Sequence, residues 1–505
     1  MAGFLSRERI VAGPGFNRWL VPPAALAIHL CIGQVYAFSV FKLPLTKAIG
    51  ITQPAPGDWK QPELAWIFTL AIVMLGLSAA VFGRWLERAG PRKSGVAAAC
   101  CWGLGFLISA VGVKTHVIWL IYLGYGFLGG CGLGLGYITP VSTLIKWFPD
   151  RRGMATGMAI MGFGGGALIA SPLSQMLMDH YKSATSVGVA ESFVTLGIVY
   201  FAFMLFGAFL FRVPAPDWKP AGWTAPAATQ AMITRAHVHV DEAIKTPQFY
   251  LLWAVLFLNV TAGIGILEQA SPMIQEMFSG AVKASAAAGF VGLLSIFNMG
   301  GRFAWSSASD RLGRKKTYAV FFTLGPLLYI TIPYAGRLGS VELFVGCTAL
   351  ILTMYGGGFA TIPAYLSDIF GTQFVGAIHG RLLTAWSAAG IVGPVVVNYI
   401  REAEIAAGVP RESVYDVTMY VLAGMLVAGF ICNYLVRPLA DKWFMSEAEV
   451  AALQKSQQAM TGPTGSMGIG EWRLNATSIL AWLAVGIPLG WGVWITLKNA
   501  LVLFR

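Results

Sequence analysis

Residues 83–93 read Gly83-Arg84-Trp85-Leu86-Glu87-Arg88-Ala89-Gly90-Pro91-Arg92-Lys93, and residues 306–316 read Ser306-Ser307-Ala308-Ser309-Asp310-Arg311-Leu312-Gly313-Arg314-Lys315-Lys316. Both segments carry an acid–Arg pair, then a glycine, then a basic run, and both lie between two long apolar stretches. The repeat predicts a chain built from two similar halves. Outward from the first segment, apolar runs fall at 20–41, 64–83, 94–113, 117–139, 153–178 and 190–212. Outward from the second they fall at 249–273, 284–306, 317–336, 341–364, 378–400 and 416–437. Each run is about the length needed to cross a hydrocarbon core. A further run at 475–497 stands alone.

Composition agrees with a membrane location. Of 505 residues, 56% are hydrophobic and 11% charged, and the mean hydropathy is +0.66. Soluble domains carry roughly 25% charged residues to solvate their surface. The net charge of +12 is spread through short loops and forms no basic stripe, so nucleic acid is not an expected partner. Under the positive-inside rule, with the N-terminus inside, inner segments hold about 23 Lys and Arg and outer loops about nine. The N-terminus, the central loop and the segment after span twelve are therefore expected in the cytoplasm and the C-terminus outside. Met1–Arg18 has no apolar core ending in a small-residue cleavage site, so the first span is expected to be retained rather than cleaved as a signal peptide. The six cysteines, Cys31, Cys100, Cys101, Cys131, Cys347 and Cys432, all lie in apolar runs without metal-ligand spacing and read as packing residues.

The expected class is an all-α polytopic membrane protein with the major facilitator fold, two six-helix halves facing a central site, plus one extra C-terminal transmembrane helix. The expected divisions are residues 1–212 for the first half, 213–247 for a cytoplasmic linker and 248–437 for the second half. Residues 438–474 form a cytoplasmic segment, with a short amphipathic helix near 446–458, and 475–505 the thirteenth helix and tail. Trp472, Trp482, Trp491 and Trp494 suit interfacial anchoring of that helix. It is an accessory element, open to contact with a partner or a second copy.

The paired loops resemble the loop signature of major facilitators, with Glu87 in place of the usual Asp and Ser306 in place of the usual first Gly. A carboxylate at a helix end pairs with nearby arginines and meets the positive N-terminus of a neighbouring helix. Glu87, Arg88, Asp310, Arg311 and Arg314 are thus candidates for a conformational latch, the alternative being a purely topological basic signal. The glycines of span four (Gly129, Gly130, Gly132, Gly134, Gly136) and span five (Gly157, Gly162, Gly164, Gly165, Gly166) form no nucleotide loop. They serve close helix approach, either static or sliding. No Walker motif is present.

Arg302, in Asn298-Met299-Gly300-Gly301-Arg302-Phe303 of span eight, lies about 12 Å along the helix axis from Asp310. An ionised group that deep usually lines a ligand or ion path, and a guanidinium grips a carboxylate bidentately. Snorkelling to the membrane face is the alternative. The strings Lys146-Trp147-Phe148-Pro149-Asp150-Arg151-Arg152-Gly153, Thr246-Pro247-Gln248-Phe249, Arg302–Lys316 and Ser367-Asp368-Ile369-Phe370-Gly371-Thr372 resemble the oxalate:formate antiporter family, from about Arg18 to Arg437. The resemblance implies exchange or proton-coupled movement of small organic anions, with Arg302 as the substrate arginine. Tyr36, Tyr137, Tyr355 and Phe359 match aromatic positions of that family's pocket. One position departs: the family's span-eleven lysine is Trp386 here. Losing that cation under-neutralises a dianion and favours a monocarboxylate such as formate, acetate, lactate or glyoxylate. Arg381 is either a second cation, which would restore oxalate:formate exchange, or a cytoplasmic anchor. Glu268 and His29 are candidate proton carriers, the alternatives being an external, hydrated Glu268 and a structural His29.

The function expected is secondary active transport of a small carboxylate by alternating access, in the inner membrane of a bacterium, with no cofactor and no metal. An integral-membrane enzyme needs grouped nucleophiles, carboxylates or metal ligands, and the spans offer only the isolated Glu268 and His29. A receptor or sensor on a transporter scaffold is the remaining alternative.

Overall fold

The computed structural model describes residues 7–13, 15–215, 218–220, 232–234, 236–278, 282, 284–453 and 476–500. They form α1 (Arg18–Ala37), α2 (Gln61–Ala89), α3 (Pro91–Lys114), α4 (Ile118–Trp147), α5 (Arg152–Tyr181) and α6 (Val189–Leu210). A second set follows: α7 (Pro247–Met277), α8 (Ala284–Leu312), α9 (Arg314–Leu338), α10 (Val341–Phe370), α11 (Val375–Ala406) and α12 (Asp416–Leu435). α13 is Ala476–Ala500. Twelve helices among the described residues are long and apolar enough to cross a membrane. The remaining helix, α8, is 29 residues long and packs against α5 and α10. Of the amphipathic helix near 446–458, residues 447–453 are helical and the rest lies outside the described residues, as does Trp472.

Local sequence sets the helix ends. Pro247 opens α7 behind Thr246, whose side chain accepts from the Phe249 N–H, and Ser340 caps α10 through the Leu343 N–H. Proline loses nothing at a first turn and a hydroxyl fills an orphan donor. The two glycines shared by the repeated loops have one task. Gly90 (φ 83°, ψ 163°) and Gly313 (φ 86°, ψ 146°) each end one helix and begin the next, in a region of backbone space essentially closed to residues with a Cβ.

Packing repeats between the two sets. α1 lies on α5, α2 on α4 and α3 on α6, and correspondingly α7 on α11, α8 on α10 and α9 on α12. Two seams join the sets, α5 against α8 and α2 against α11, again related by the repeat. Without a hydrophobic force between helices in lipid, such contacts rest on small residues and close backbone approach. The span-four glycines serve contacts inside the first set: a Cβ on Gly130 would meet Met74 and Ala71 of α2, and one on Gly132 would meet Trp102 and Ala98 of α3. Those of α5 differ. Gly157 faces Ser306 and the Arg302 carbonyl, and Gly164 faces Met299, all across the α5–α8 seam.

The accessory helix straddles that same seam. Leu489 lies against Gly165 of α5, Gly492 against Leu168, and Thr496 against Gly292 of α8. Near its start, Asn17 donates to the Ser478 hydroxyl (3.2 Å). Its contacts are thus with both sets of its own chain.

Candidate functional site

Midway along the bundle, α8 carries the Arg302 side chain into a ring of aromatic residues drawn from both sets. Arg302 is fully buried. Its Nε donates to Asn298 Oδ1 (3.0 Å), one turn earlier on the same helix, and its Nη1 to the Ile160 carbonyl of α5 (3.3 Å). Nη2 meets no hydrogen-bond partner, and the Tyr36 hydroxyl lies close to the guanidinium. The guanidinium carbon lies 5.2 Å from the Phe359 ring centre and 5.6 Å from that of Phe163. Among the described residues no carboxylate pairs with it. An unpaired buried cation is costly (~2.5–3.5 kcal/mol at a helix centre), and two aromatic faces offset only part of that.

The structure brings the sequence-predicted aromatic residues together. Trp386 lies 4.4 Å from Phe359, 5.3 Å from Tyr137 and 6.5 Å from Tyr36, ring centre to ring centre. The Tyr36 and Tyr355 hydroxyls are 3.4 Å apart and join α1 to α10. Tyr137 Oη and Trp386 Nε1 are buried without partners. Three participants escape sequence reasoning. Phe163 touches Tyr36 (5.1 Å), Tyr137 (5.6 Å) and Trp386 (5.4 Å); its one signal is a large side chain inside a glycine run. Asn298 orients the arginine from one helical turn away. His379 stands 5.9 Å from Tyr137.

Of the other candidates, His29 lies beside the aromatic ring, its own ring 5.3 Å from that of Tyr137. His29 is buried, with Nδ1 against the Ala159 carbonyl and Nε2 3.3 Å from the Tyr137 carbonyl, so backbone oxygens engage both ring nitrogens. The Glu268 side chain lies outside the described residues. Arg381 turns to the linker, donating to the Val240 carbonyl (2.9 Å) and the Asp241 carboxylate (2.8 Å).

The latch candidates gather at the end of the bundle where the repeated loops lie, here the basic end. Asp310 accepts from the Gly153 and Met154 N–H groups (2.8 and 2.9 Å) at the start of α5 and pairs with Arg314 (2.7 Å). A carboxylate on a helix N-terminus is favoured by both dipole and orphan donors. Asp368 binds Arg314 and, across the seam, Arg152 (both 3.1 Å). In the first set Glu87 pairs with Lys146 (2.5 Å) and abuts Gly376 at the start of α11, the repeat-related place. Arg88 and Arg311 are exposed. The linker adds a second clasp: Asp241 binds Arg84 of α2 as well as Arg381 of α11. The hydrogen bond from Arg381 holds the Asp241 carboxyl below the usual range against the opposing effect of burial, with Arg84 and His239 also favouring the charged form. At this end the two sets are closed on each other.

The family model described as Major Facilitator Superfamily matches residues 24–394. The chain is 26% identical over 378 residues to the oxalate:formate antiporter of Oxalobacter formigenes, covering 75% of this chain and 83% of that protein. It is 24% identical over 389 residues to apicoplast pyruvate carrier 1 of Toxoplasma gondii, covering 67% and 69%. Among solved structures it resembles the transporter FucP in its outward conformation, with a TM-score of 0.61 and 15% identity over 84% of this chain and 100% of that one.

Proposed function

Because the chain belongs to the Major Facilitator Superfamily, we propose that it moves a small organic carboxylate, a monocarboxylate in preference to a dianion, across the membrane by alternating access. As a family member it is a membrane transporter and not an enzyme. The observation that carries the substrate class is the buried Arg302 guanidinium, held in place by Asn298 and Ile160 and short of one partner. One monoanion would neutralise it. The relatives named for oxalate, formate and pyruvate support an organic anion. Arg381, the alternative second cation, is engaged by Asp241, which supports single rather than double charge.

In this reading Arg302, Tyr36, Tyr137, Tyr355, Phe359 and Trp386 bind the substrate. Asp310, Arg314 and Glu87 close the basic end, joined by Arg152, Asp368 and Lys146. The halves at residues 1–212 and 248–437 move as units, and the positive-inside count puts the basic end in the cytoplasm of a bacterial cell. Coupling is either to a counter-anion or to protons.

The test is uptake of radiolabelled formate, acetate, lactate and oxalate into proteoliposomes, with Arg302→Gln alongside, with and without internal anion and a pH gradient. Saturable monocarboxylate uptake that falls at least tenfold in Arg302→Gln is expected. Uptake unchanged by the substitution would remove the carboxylate site.

A further inference from the structure

Where the second repeated loop enters α9, the basic end of the bundle holds a cavity of about 440 Å³, within the range of small-molecule sites (~300–1,000 Å³). Its walls are the start of α9, the ends of α10 and α12, and Met232 and Ile233 of the linker. Arg314, Lys315 and Lys316 line it against a single carboxylate, Asp368, which Arg314 and Arg152 already bridge. Lys315 donates to the Tyr434 and Val436 carbonyls (2.8 and 2.6 Å), which leaves its charge in place, and Arg437 lies close to it. Lys316 is exposed. Among the described residues no acid forms an ion pair with Lys315, Lys316 or Arg437.

The outward wall is apolar. Leu312 of α8 and Phe430 and Tyr434 of α12 line the cavity and are exposed. α9 begins and α12 ends beside it, and both are long and apolar enough to cross a membrane. The cavity therefore lies where the headgroups of a bilayer meet its tails, the level at which tyrosine is enriched.

The internal repeat offers a comparison. Aligning the two loops puts Arg92 and Lys93 where Lys315 and Lys316 stand. Arg92 donates to the Phe209 carbonyl at the end of α6 (3.2 Å), as Lys315 does at the end of α12. There the chain covers its own surface. Residues 7–10 pack on α3, Ile10 and Ala12 are buried, and the Ala12 N–H donates to the Val213 carbonyl just past α6 (2.9 Å). Between α9 and α12 the corresponding space is the cavity. An occupant that suits it brings an apolar part and a negative charge.

We propose that this cavity binds the phosphate headgroup of an anionic phospholipid. Lys315 and Lys316 meet the phosphate, Arg437 adds to their field, and one acyl chain leaves over Phe430 and Tyr434 into the bilayer. Basic recesses between spans recognise such headgroups by charge, and lysine meets phosphate as a point charge. None of these residues belongs to the carboxylate site. Because Arg314 and Asp368 share the cavity wall, the headgroup rests against the closure of the basic end.

The purified full-length protein in a neutral detergent is tested by native mass spectrometry for retained phosphatidylglycerol, phosphatidylcholine and glycerol phosphate. It is compared with Lys316→Glu, Lys93→Glu and Ala319→Phe. One phosphatidylglycerol is expected to stay bound, at least fivefold more than phosphatidylcholine at equal concentration. Lys316→Glu should lower that retention at least fivefold, as should Ala319→Phe, which fills the cavity from α9. Lys93→Glu makes the same charge change at an exposed, repeat-related position and should stay within twofold of the unmodified protein. Equal retention of the two lipids by the unmodified protein would overturn the site, and that comparison needs no variant to fold. Equal losses in Lys316→Glu and Lys93→Glu would reveal diffuse attraction to the basic end and overturn it as well. Displacement of the lipid by an equal concentration of glycerol phosphate would make the ligand a soluble phosphate ester and not a lipid.

Discussion

Asn298 holds the Arg302 guanidinium through Nε and leaves its charge free, the arrangement the proposed carboxylate site needs. Replacing Asn298 by Asp supplies a permanent counter-charge at the same distance. Asn298→Asp is expected to fold normally and to weaken carboxylate binding at least tenfold, measured by calorimetry, whereas Asn298→Ala should cost less binding and some stability, about 1 kcal/mol for the lost hydrogen bond. At the linker, the carboxyl of Asp241 sits below its usual range because Arg381 and Arg84 favour the charged form. Its clasp is therefore complete above about pH 4 and is lost only as pH falls through that lowered value. Protection of the linker from protease should then be flat between pH 5 and 8, and absent at all pH values in Asp241→Asn. Arg302 was legible in the sequence because a charge inside an apolar run has few bland explanations. Phe163, Asn298 and His379 were not, since a phenylalanine, an amide or a histidine in a span reads equally well as packing. Arg381 was open between two roles, because helix register alone does not say which way a long side chain turns.

At the scale of helices, α4 and α5 look alike in sequence, each a glycine-rich run, yet their neighbours differ. The α4 glycines pack within one half, while Gly157 and Gly164 of α5 face α8 across the seam. A side chain at Gly157 collides with Ser306 and the Arg302 backbone, contacts made when the basic end is closed. Gly157→Leu should therefore shift the protein towards the state open at that end, and Gly130→Leu should instead destabilise both states, by roughly 1–3 kcal/mol of overpacking. Alkylation of a cysteine placed on α5 facing α8, against thermal melting, separates the two. Likewise Asp368→Asn removes the shared carboxylate of Arg152 and Arg314. Breaking a largely buried pair costs about 3–5 kcal/mol, so the open state should gain roughly two to three and a half powers of ten. Sequence repetition made Glu87 and Asp310 visible as a pair. It could not supply Lys146, the partner of Glu87, or the Arg152–Asp368 pair that joins Asp310 through Arg314, since these come from other loops and meet only in three dimensions. The span-two and span-five helices also overrun the apolar runs at their ends, because hydropathy marks the hydrocarbon boundary and helices continue past it.

For the whole molecule, the pairing of α1–α5, α2–α4 and α3–α6 with α7–α11, α8–α10 and α9–α12 was implicit in one repeated loop. The place of α13 was not, since nothing in its composition selects a neighbour. It lies on the α5–α8 seam and touches both sets. A chain ending at residue 453 should still fold and bind carboxylate, with a melting point several degrees lower from loss of the contacts at Trp482, Val485 and Leu489. Its transport rate should change while its affinity does not, which uptake and calorimetry would separate. The opposite seam, α2 against α11, carries Trp66, Leu77, Ile391 and Val395 on its outer surface, all exposed. Among the described residues, one flank is shielded by α13 and the other is bare. Fatty tails of the bilayer, and any amphiphile dissolved among them, meet the α2–α11 seam directly, and sensitivity to acyl-chain length or to greasy inhibitors will enter there.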